Sequence, residues 1–265
     1  MRDELGDRMK KNYENRTRIL LPRRTYTIIR VDGKAFHTYT KGLLRPFDGG
    51  MVADMDSTAE YLCKNIQGAK CGFVQSDEIS VVMTDFDKLD TDAWFDGNIQ
   101  KIVSVAASLA TSKFNQLRTM RELEEYEDGR RFKTDYLNQA DLKSNPFKLA
   151  EFDARVFTIP SLTEVCNYFI WRQQDTVRNS ISSVAQSLYS SKELHGKNMS
   201  EQQEMIFQKG VNWNDFDVTL KNGRFVYRQS YVTPEKVTRS KWITVGSPTF
   251  TQDQDFLLNH IPEQD

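Results

Sequence analysis

Apolar and β-branched residues form short runs along the chain, separated by segments in which apolar residues recur at helical spacing. The run TYTIIRV, just before Asp32 and Gly33, predicts a strand, and CGFVQSDEISVVM predicts two strands joined by a tight polar turn. Asp48 is a suitable N-cap for a helix between them. That helix is predicted by the near-helical spacing of its apolar residues, Met51, Met55, Leu62 and Ile66.

The later part of the chain continues this alternation of helix and strand. An apolar face predicts a helix over roughly 98–117, and ARVFTI at 154–159 predicts a strand. Ser161 and Glu164 mark the start of a helix that runs to about residue 189. The remaining predicted elements are a polar helix over 3–18, a helix over 199–210 and the strand-like stretches RFVYRQSYV and KWITVG.

The order strand, helix, strand, strand, helix, strand is that of the split β-α-β-β-α-β fold. We therefore expect an α+β protein with a palm-like, ferredoxin- or RRM-like core. Its antiparallel sheet would carry helices on one face and leave the other face open for chemistry. Residues 1–160 would form this catalytic core, with a charged insertion at about 118–150. Residues 161–265 would add a long helix and a small C-terminal β extension, packed on the core as one continuous unit.

The composition is that of a globular protein. The 265 residues are 38% hydrophobic and 28% charged, and no apolar run approaches the ~18 residues of a membrane span. The N-terminal segment is charged throughout, so we expect neither a signal peptide nor a membrane partner. Cys63, Cys71 and Cys166 form no C-x-x-C pair, which predicts buried, reduced thiols and a cytoplasmic location.

The distribution of charge is more informative than the net charge of −1. Residues 1–45 hold twelve Lys and Arg against five Asp and Glu, and residues 221–241 hold six against one. Basic stretches of this kind suit a polyanionic partner such as RNA. An ordinary solvated surface is the alternative interpretation.

Acidic residues mark the ends of strands that the predicted topology places side by side. Asp32 ends the first strand, and Asp77 and Glu78 lie at the polar turn. Two carboxylates and a main-chain carbonyl, for which Gly33 is suited, make a Mg²⁺ site that water and substrate phosphate can complete. Two such ions could serve phosphoryl or nucleotidyl transfer. Taken singly, Asp-Gly is also a common turn and Ser-Asp-Glu a common hairpin tip.

Two polar residues interrupt the apolar stripe of the long helix. Arg172 and Gln173 stand between Phe169 and Val177, where the spacing predicts burial. Buried polar groups require hydrogen-bonding partners or a ligand.

Five motifs in the right order resemble one known family, the tRNA-histidine guanylyltransferases and their bacterial and archaeal relatives. They are RVDGKAFHTYT, RPFD, QSDEIS, FDARVF and NYFIWRQQD. The resemblance covers about residues 1–245 and is weakest across 118–150. It implies a nucleotidyltransferase that adds nucleotides in the 3′-to-5′ direction to the 5′ end of tRNA. It also implies two Mg²⁺ ions, ATP and GTP or other NTPs as substrates, the tRNA acceptor stem as partner, and a homotetramer.

The resemblance also implies roles for individual residues. Asp32 and Asp77 would be the catalytic metal carboxylates, Gly33 a carbonyl ligand, and Glu78 a catalytic support. The activating nucleotide would be wrapped by Lys34, Ala35, Phe36 and His37, with Phe36 and His37 near its base and sugar. Its triphosphate would contact Arg45, Ser76 and Lys101. The tRNA end or second nucleotide would lie at Arg30, Asp153, Arg172, Gln173, Asp175, Arg178 and Asn179.

Two departures from the family pattern refine these expectations. The eukaryotic branch carries H-I-N-N-L-Y-N where this chain reads VRNSISS at 177–183, so that only Asn179 is kept. This resembles bacterial-type members and favours templated repair of 5′-truncated tRNA over untemplated addition of G to tRNA-His. Arg45 replaces the usual Lys, and its planar guanidinium can still bind phosphate.

Three other functions remain alternatives. A nucleotide cyclase would use the same palm and acidic pair, but usually has a Gly-Gly-acidic turn where this chain has Ser-Asp-Glu. A non-catalytic RNA-binding module would carry stacking aromatics on its central strands, where Phe73 is the single candidate. A globular protein without nucleotide chemistry is the third.

Overall fold

The computed structural model describes residues 3–127 and 148–264 and contains a six-stranded sheet. Its strands are Tyr26–Gly33 (β1), Ala69–Gln75 (β2), Glu78–Met83 (β3), Phe152–Ile159 (β4), Arg224–Val232 (β5) and Thr238–Gly246 (β6). Every neighbouring pair is antiparallel, and the strand order is β4-β1-β3-β2-β5-β6. The predicted α+β class and antiparallel sheet are confirmed, and β5 and β6 extend the sheet at the β2 edge.

Helices connect and cover these strands. Within the described residues they are Glu4–Asn12 (α1), Phe36–Tyr39 (α2), Gly49–Asn65 (α3), Ile99–Glu127 (α4), Leu162–Leu188 (α5), Ser191–Leu194 (α6), Met199–Gln208 (α7), Val218–Lys221 (α8) and Gln254–Leu258 (α9). The predicted helix over 3–18 is shorter in the structure, because α1 ends at Asn12 and a separate 3₁₀ turn follows at Glu14–Thr17. None of the helices among the described residues is long and apolar enough to cross a membrane.

One face of the sheet packs against α3 and α4. Alternate residues of β1 and β3, such as Ile29 and Val81, point to this side and join Leu62 and Ile102 in one fully buried cluster. Side chains of a strand alternate between faces, so the intervening residues belong to the opposite side.

The opposite face is covered as well, which corrects the expectation of an open face. Ile28 and Phe73 pack there with Phe169 of α5, and Phe250 and Leu257 of the C-terminal segment complete the cluster. The apolar stripe of α5 needed a partner surface, and the sheet provides it. Accessible positions remain at the end of the sheet where β1 finishes and β2 turns into β3, at the half-buried Asp32 and the exposed Ser76, and along the outer part of β5.

Helix α4 is longer than its apolar pattern predicted. It continues from residue 117 to Glu127, through the first part of the predicted charged insertion. Arg118 and Arg121 hold it there by ion pairs to the buried Asp54 of α3, at 3.2 and 2.7 Å. Residues 128–147 of that insertion lie outside the described residues. All three cysteines are free thiols and buried, as predicted.

Candidate active site

The first strand and the polar turn meet at one end of the sheet. β1 and β3 pair so that Asp32 lies opposite Glu78, and the backbone amide of Gly33 donates to the carbonyl oxygen of Asp77 at 3.1 Å. Ser76 adopts a left-handed φ of 46°, which makes the two-residue turn between β2 and β3. The backbone therefore brings Asp32 and Asp77 to adjacent positions, as the sequence predicted.

Burial and mutual repulsion disfavour the charged forms of these two carboxylates. Burial raises the pKa of Asp77 to about 6, and the negative charges of Asp32 and Glu78 act in the same direction. The pKa of Asp32 is also raised, first by burial and then by Asp153, which lies opposite it on β4. A bound cation would remove this penalty.

The residues present fit a divalent cation that is only partly coordinated by protein. No group of three or more His, Cys, Asp or Glu side chains in the described part of the chain is arranged to hold a metal. Mg²⁺ is commonly held by one or two carboxylates together with water and substrate phosphate. Asp32 and Asp77, with the main chain at Gly33, match this incomplete donor set.

Glu78 and Arg172 form a buried, bidentate ion pair. Both bonds, Nε to Oε1 and Nη2 to Oε2, measure 2.8 Å, and Nη2 also bonds to Asp175 at 2.9 Å. Burial raises the pKa of Glu78, and Arg172 opposes that effect. These bonds place Arg172 and Asp175 beside the turn and fix the Glu78 side chain there; that Arg172 and Asp175 lie at the tRNA end stays a prediction.

Gln173 bonds to the C-terminal segment, and its place at the tRNA end or second nucleotide stays a prediction. Its amide nitrogen donates to the carbonyl oxygen of Pro248 at 2.7 Å, and its oxygen accepts from the backbone amide of Phe250 at 2.8 Å. The polar gap in the apolar stripe of α5 is thus satisfied by protein groups. Gln173 fastens the C-terminal segment to α5.

Two residues that the sequence did not single out extend the network around Glu78. The amide nitrogen of Gln75 donates to Glu78 Oε1 at 3.2 Å, and the hydroxyl of Thr176 donates to Gln75 Oε1 at 2.5 Å. Both residues are buried. In the sequence, only their locations could have indicated them: Gln75 precedes the turn, and Thr176 lies one helical turn after Arg172.

Packing against Phe36 explains why position 33 is a glycine, which is a different reason from the expected use of its main-chain carbonyl as a metal ligand. A Cβ atom built on Gly33 would lie 2.2 Å from Cδ2 of the Phe36 ring. That ring is buried among Tyr39, Phe114 and Phe152, with centroid distances of 4.8–5.8 Å. Phe36 is therefore part of the core under the strand end, and its place near the base and sugar of a nucleotide stays a prediction.

The remaining residues of this motif lie at the surface. Ala35 has a left-handed φ of 52° and precedes the short helix α2. The ammonium group of Lys34 pairs with the exposed carboxylate of Glu151 at 2.5 Å. His37 is exposed.

A pocket of about 270 Å³ adjoins the carboxylate turn. Four residues expected at the nucleotide or tRNA end line it together: His37, Arg45, Ser76 and Asn179. Its polar wall also includes residues not predicted from the sequence, namely Gln75, Thr176, Ser180, Ser183, Gln186 and Arg224. The chain directly links this pocket to Asp77 through Ser76.

The face of β1 and β4 beside Asp32 carries a mixture of charges. Arg30 lies opposite Arg155, and its Nε is 3.9 Å from Glu78 Oε2. Asp153 is more than half exposed and lies 3.5 Å from Arg155. Arg178 is exposed on α5, where it bonds only its own helix backbone among the contacts described. These groups surround the strand end without closing it.

Lys101 is not at this end of the sheet, which contradicts its expected contact with triphosphate. The start of α4 is tied to the segment before β1, since Ile99 donates to the carbonyl of Ile19 at 3.1 Å. The hydroxyl of Thr111, ten residues later, is the part of α4 that meets Phe152 beside Gly33. At 1.5 Å per residue, roughly 15 Å of helix separates Lys101 from Thr111.

Comparison with known proteins gives a consistent result. Residues 6–160 match the family model described as tRNAHis guanylyltransferase. A bacterial tRNA(His) guanylyltransferase (Thg1)-like protein in complex with ATP has a TM-score of 0.80 and 41% identity, covering 98% of this chain and 99% of that chain. The corresponding values for a bacterial Thg1-like protein in complex with GTP are 0.76 and 39%, with 97% and 99% coverage.

Curated relatives show the same similarity at lower identity. The tRNA(His) guanylyltransferase of Debaryomyces hansenii is 28% identical over 87% of this chain and 83% of its own length. The palm-like fold expected from the order of elements is confirmed by the structural matches.

Proposed function

Because the chain belongs to the tRNAHis guanylyltransferase family, as its motifs predicted, we propose that it extends the 5′ end of tRNA in the 3′-to-5′ direction. Family members are tRNA guanylyltransferases, so the expectation of a nucleotidyltransferase is confirmed. The finer proposal is template-dependent repair of 5′-truncated tRNA that requires Mg²⁺. A homotetramer and a cytoplasmic location are further parts of it, drawn from the resemblance and the cysteine usage.

The observation that carries the proposal is the joining of Asp32 and Asp77 beside the pocket. Their backbones are linked by the bond from Gly33 to Asp77, and Ser76 connects them to the pocket wall. When bound there, Mg²⁺ would lower the pKa of the attacking hydroxyl and neutralise phosphate charge. The rest of the catalytic task is positioning, which the Glu78–Arg172 pair supports by fixing the turn.

The reaction we propose has two in-line transfers. In the first, an oxygen of the 5′-monophosphate of tRNA attacks the α-phosphorus of ATP, and pyrophosphate leaves. In the second, the 3′-hydroxyl of an incoming NTP attacks the activated 5′ phosphorus and AMP leaves. A tRNA with a 5′-triphosphate skips the first transfer and releases pyrophosphate in the second. The similar bacterial protein in complex with ATP supports ATP as the activating substrate.

The pocket supplies the groups for the activating nucleotide. Ser76 would donate to phosphate oxygens beside Asp77, and the exposed Arg45 would bind them through its guanidinium. His37 would lie along the sugar. The wall formed by Asn179 and its neighbours is where the family's eukaryotic signature is lost, which favours base choice by pairing with the opposite strand of the acceptor stem.

One assay tests this function. The full chain is incubated with 5′-truncated tRNA that carries either a monophosphate or a triphosphate, Mg²⁺, and each NTP alone. We expect addition of the nucleotide complementary to the opposite strand, and a need for ATP only with the monophosphate. Addition of G whatever the opposite base would support the guanylyltransferase alternative instead.

Two variants locate the activity. Asp77→Asn should abolish transfer both to tRNA with a 5′-monophosphate and to tRNA with a 5′-triphosphate, because it removes one of the two metal carboxylates. Lys101→Ala is the matched control and should keep the wild-type KM for NTP, since Lys101 lies at the other end of α4. Full activity in Asp77→Asn would remove the metal assignment.

A further inference from the structure

Trp171 is an exposed aromatic residue beside the carboxylate turn, and it belongs to neither the metal site nor the pocket. It lies on α5 directly before Arg172 and is 47% exposed. The Cζ atom of Arg172 lies 4.4 Å from the centroid of the indole ring, and that of Arg30 lies 6.0 Å from it. Arg172 is itself fixed to Glu78 by two bonds of 2.8 Å, so an anchored side chain holds the indole beside the turn.

The carboxylate turn has a different accessible surface on each side. The pocket lies on the β2 side, where Gln75 and Ser76 line it, and Trp171 is not one of its lining residues. Trp171 lies on the β1 side, next to Arg30. Arg30 is two residues before Asp32, so the side chains of Arg30 and Asp32 point to the same face of the strand. The carboxylate end of the sheet is therefore flanked by the pocket on one side and by the indole on the other.

The proposed reaction needs a substrate on each of these two sides. In an in-line transfer the attacking oxygen and the leaving group lie on opposite sides of the phosphorus. With the activating nucleotide in the pocket, the 5′ end of tRNA approaches from the side of Trp171. The exposed charges on that side belong to Arg155 and Asp153 of β4, which lie 3.5 Å apart and offset one another. The indole is therefore the group that distinguishes this side, and it suits a base better than a phosphate.

Stacking also fits a substrate whose terminal base varies. A base can stack on an aromatic side chain whatever its identity, because every base has a π face. A repair enzyme that chooses its nucleotide by pairing with the opposite strand must accept any base at the 5′ end of the acceptor stem. A stacking residue meets this need, whereas hydrogen bonds to the base edge would restrict the substrate to particular bases.

We propose that the indole of Trp171 stacks on the base of the 5′-terminal nucleotide of tRNA and positions that end for transfer at Asp32 and Asp77. This inference rests on the proposed function, because it assigns the place of the RNA substrate at the same site. Arg172 connects the stacking residue to the turn, since one guanidinium contacts both the indole and Glu78.

The test compares two RNAs in the absence of NTP, so that no transfer occurs. Dissociation constants of the full chain are measured by calorimetry for 5′-truncated tRNA with a 5′-monophosphate, either intact or with an abasic 5′-terminal nucleotide. Wild type should bind the intact tRNA at least about fivefold more tightly, as expected for one stacked base. Trp171→Leu keeps an apolar side chain without a π face and should bind both RNAs alike. Trp171→Phe keeps an aromatic ring and should restore the preference for the intact tRNA.

Phe207→Ala is the matched control, because Phe207 is a 63% exposed aromatic residue on α7 and does not line the pocket. It should prefer the intact tRNA as wild type does, and unfolding midpoints establish that each variant is folded. A folded Trp171→Leu that keeps the full wild-type preference would overturn the stacking role.

The remaining outcomes separate this inference from the proposed function. If wild type extends truncated tRNA but binds the intact and abasic RNAs equally, the stacking role is overturned and the proposed function stands. A change of oligomeric state in Trp171→Leu alongside that result would show that the indole contacts a second copy of the chain instead. If wild type neither binds nor extends truncated tRNA, both the inference and the proposed function are overturned.

Discussion

Replacing Arg172 by Met tests whether the buried ion pair holds the carboxylate turn. The side chains of Arg172 and Glu78 are 7% and 9% exposed, and two bonds of 2.8 Å join them. Met keeps much of the volume of Arg but leaves the buried Glu78 carboxylate with only the Gln75 amide at 3.2 Å and Arg30 at 3.9 Å. Removing one partner of a buried pair costs about 3–5 kcal/mol of unfolding free energy. For a chain of this size that corresponds to a fall of roughly 6–15 °C in the unfolding midpoint.

The assay is a double-mutant cycle followed by thermal unfolding. Glu78→Gln in the Arg172→Met background removes the unpaired charge, so the double variant should recover part of the loss, about 1–3 kcal/mol of coupling. Arg178→Met is the matched control on the exposed side of the same helix and should change the stability by less than about 0.5 kcal/mol. If the losses from Arg172→Met and Glu78→Gln simply add, the pair is not coupled and the positioning argument is refuted.

Two further predictions concern the strand end. The folded pKa of Asp77, about 6, lies above its ordinary value of 3.8, so its contribution to stability is complete below about pH 4 and is lost as the pH rises through 6. Without Mg²⁺, the unfolding temperature of Asp77→Asn should therefore fall less than that of wild type between pH 4 and 6.5. An equal fall in both proteins would contradict the raised pKa. Gly33→Ala should cost about 1–3 kcal/mol in chemical denaturation because its Cβ would meet the Phe36 ring at 2.2 Å, whereas Gly49→Ala, with open space around it, should be nearly neutral.

The sequence predicted proximity better than it predicted partners. Asp32 and Asp77 could be placed together because both follow from strand ends in a recognisable topology. The contacts of Phe36 and Gln173 could not, since periodicity indicates that a position is buried but not what fills the space beside it. The partners of Gln173 lie at Pro248 and Phe250, more than 70 residues along the chain.

Arg224 shows the same limit from the other side. In the sequence it is one of several basic residues in 221–241, and the composition of that stretch alone suggested a surface that binds RNA phosphates. Its burial depends on pairing of β5 with β2 and on Asp56 of α3, which no local pattern reveals. The charged stretch therefore contains a buried pocket residue as well as exposed ones.

The acidic residues at this end of the sheet differ in whether they pair with Arg172 of α5. Arg172 neutralises Glu78 and Asp175, whereas neither Asp32 nor Asp77 forms an ion pair within 4 Å in the ranges that the structure describes. If Arg172 reached all of these carboxylates, it would compensate the charge that a divalent cation needs. Because its donors are committed to Glu78 and Asp175, no ion pair among the described residues offsets the burial that raises the pKa of Asp77, to which the charge of Asp32 adds a smaller effect. A cation bound at Asp32 and Asp77 would remove this penalty, whereas Glu78 and Asp175 already have Arg172 as their partner.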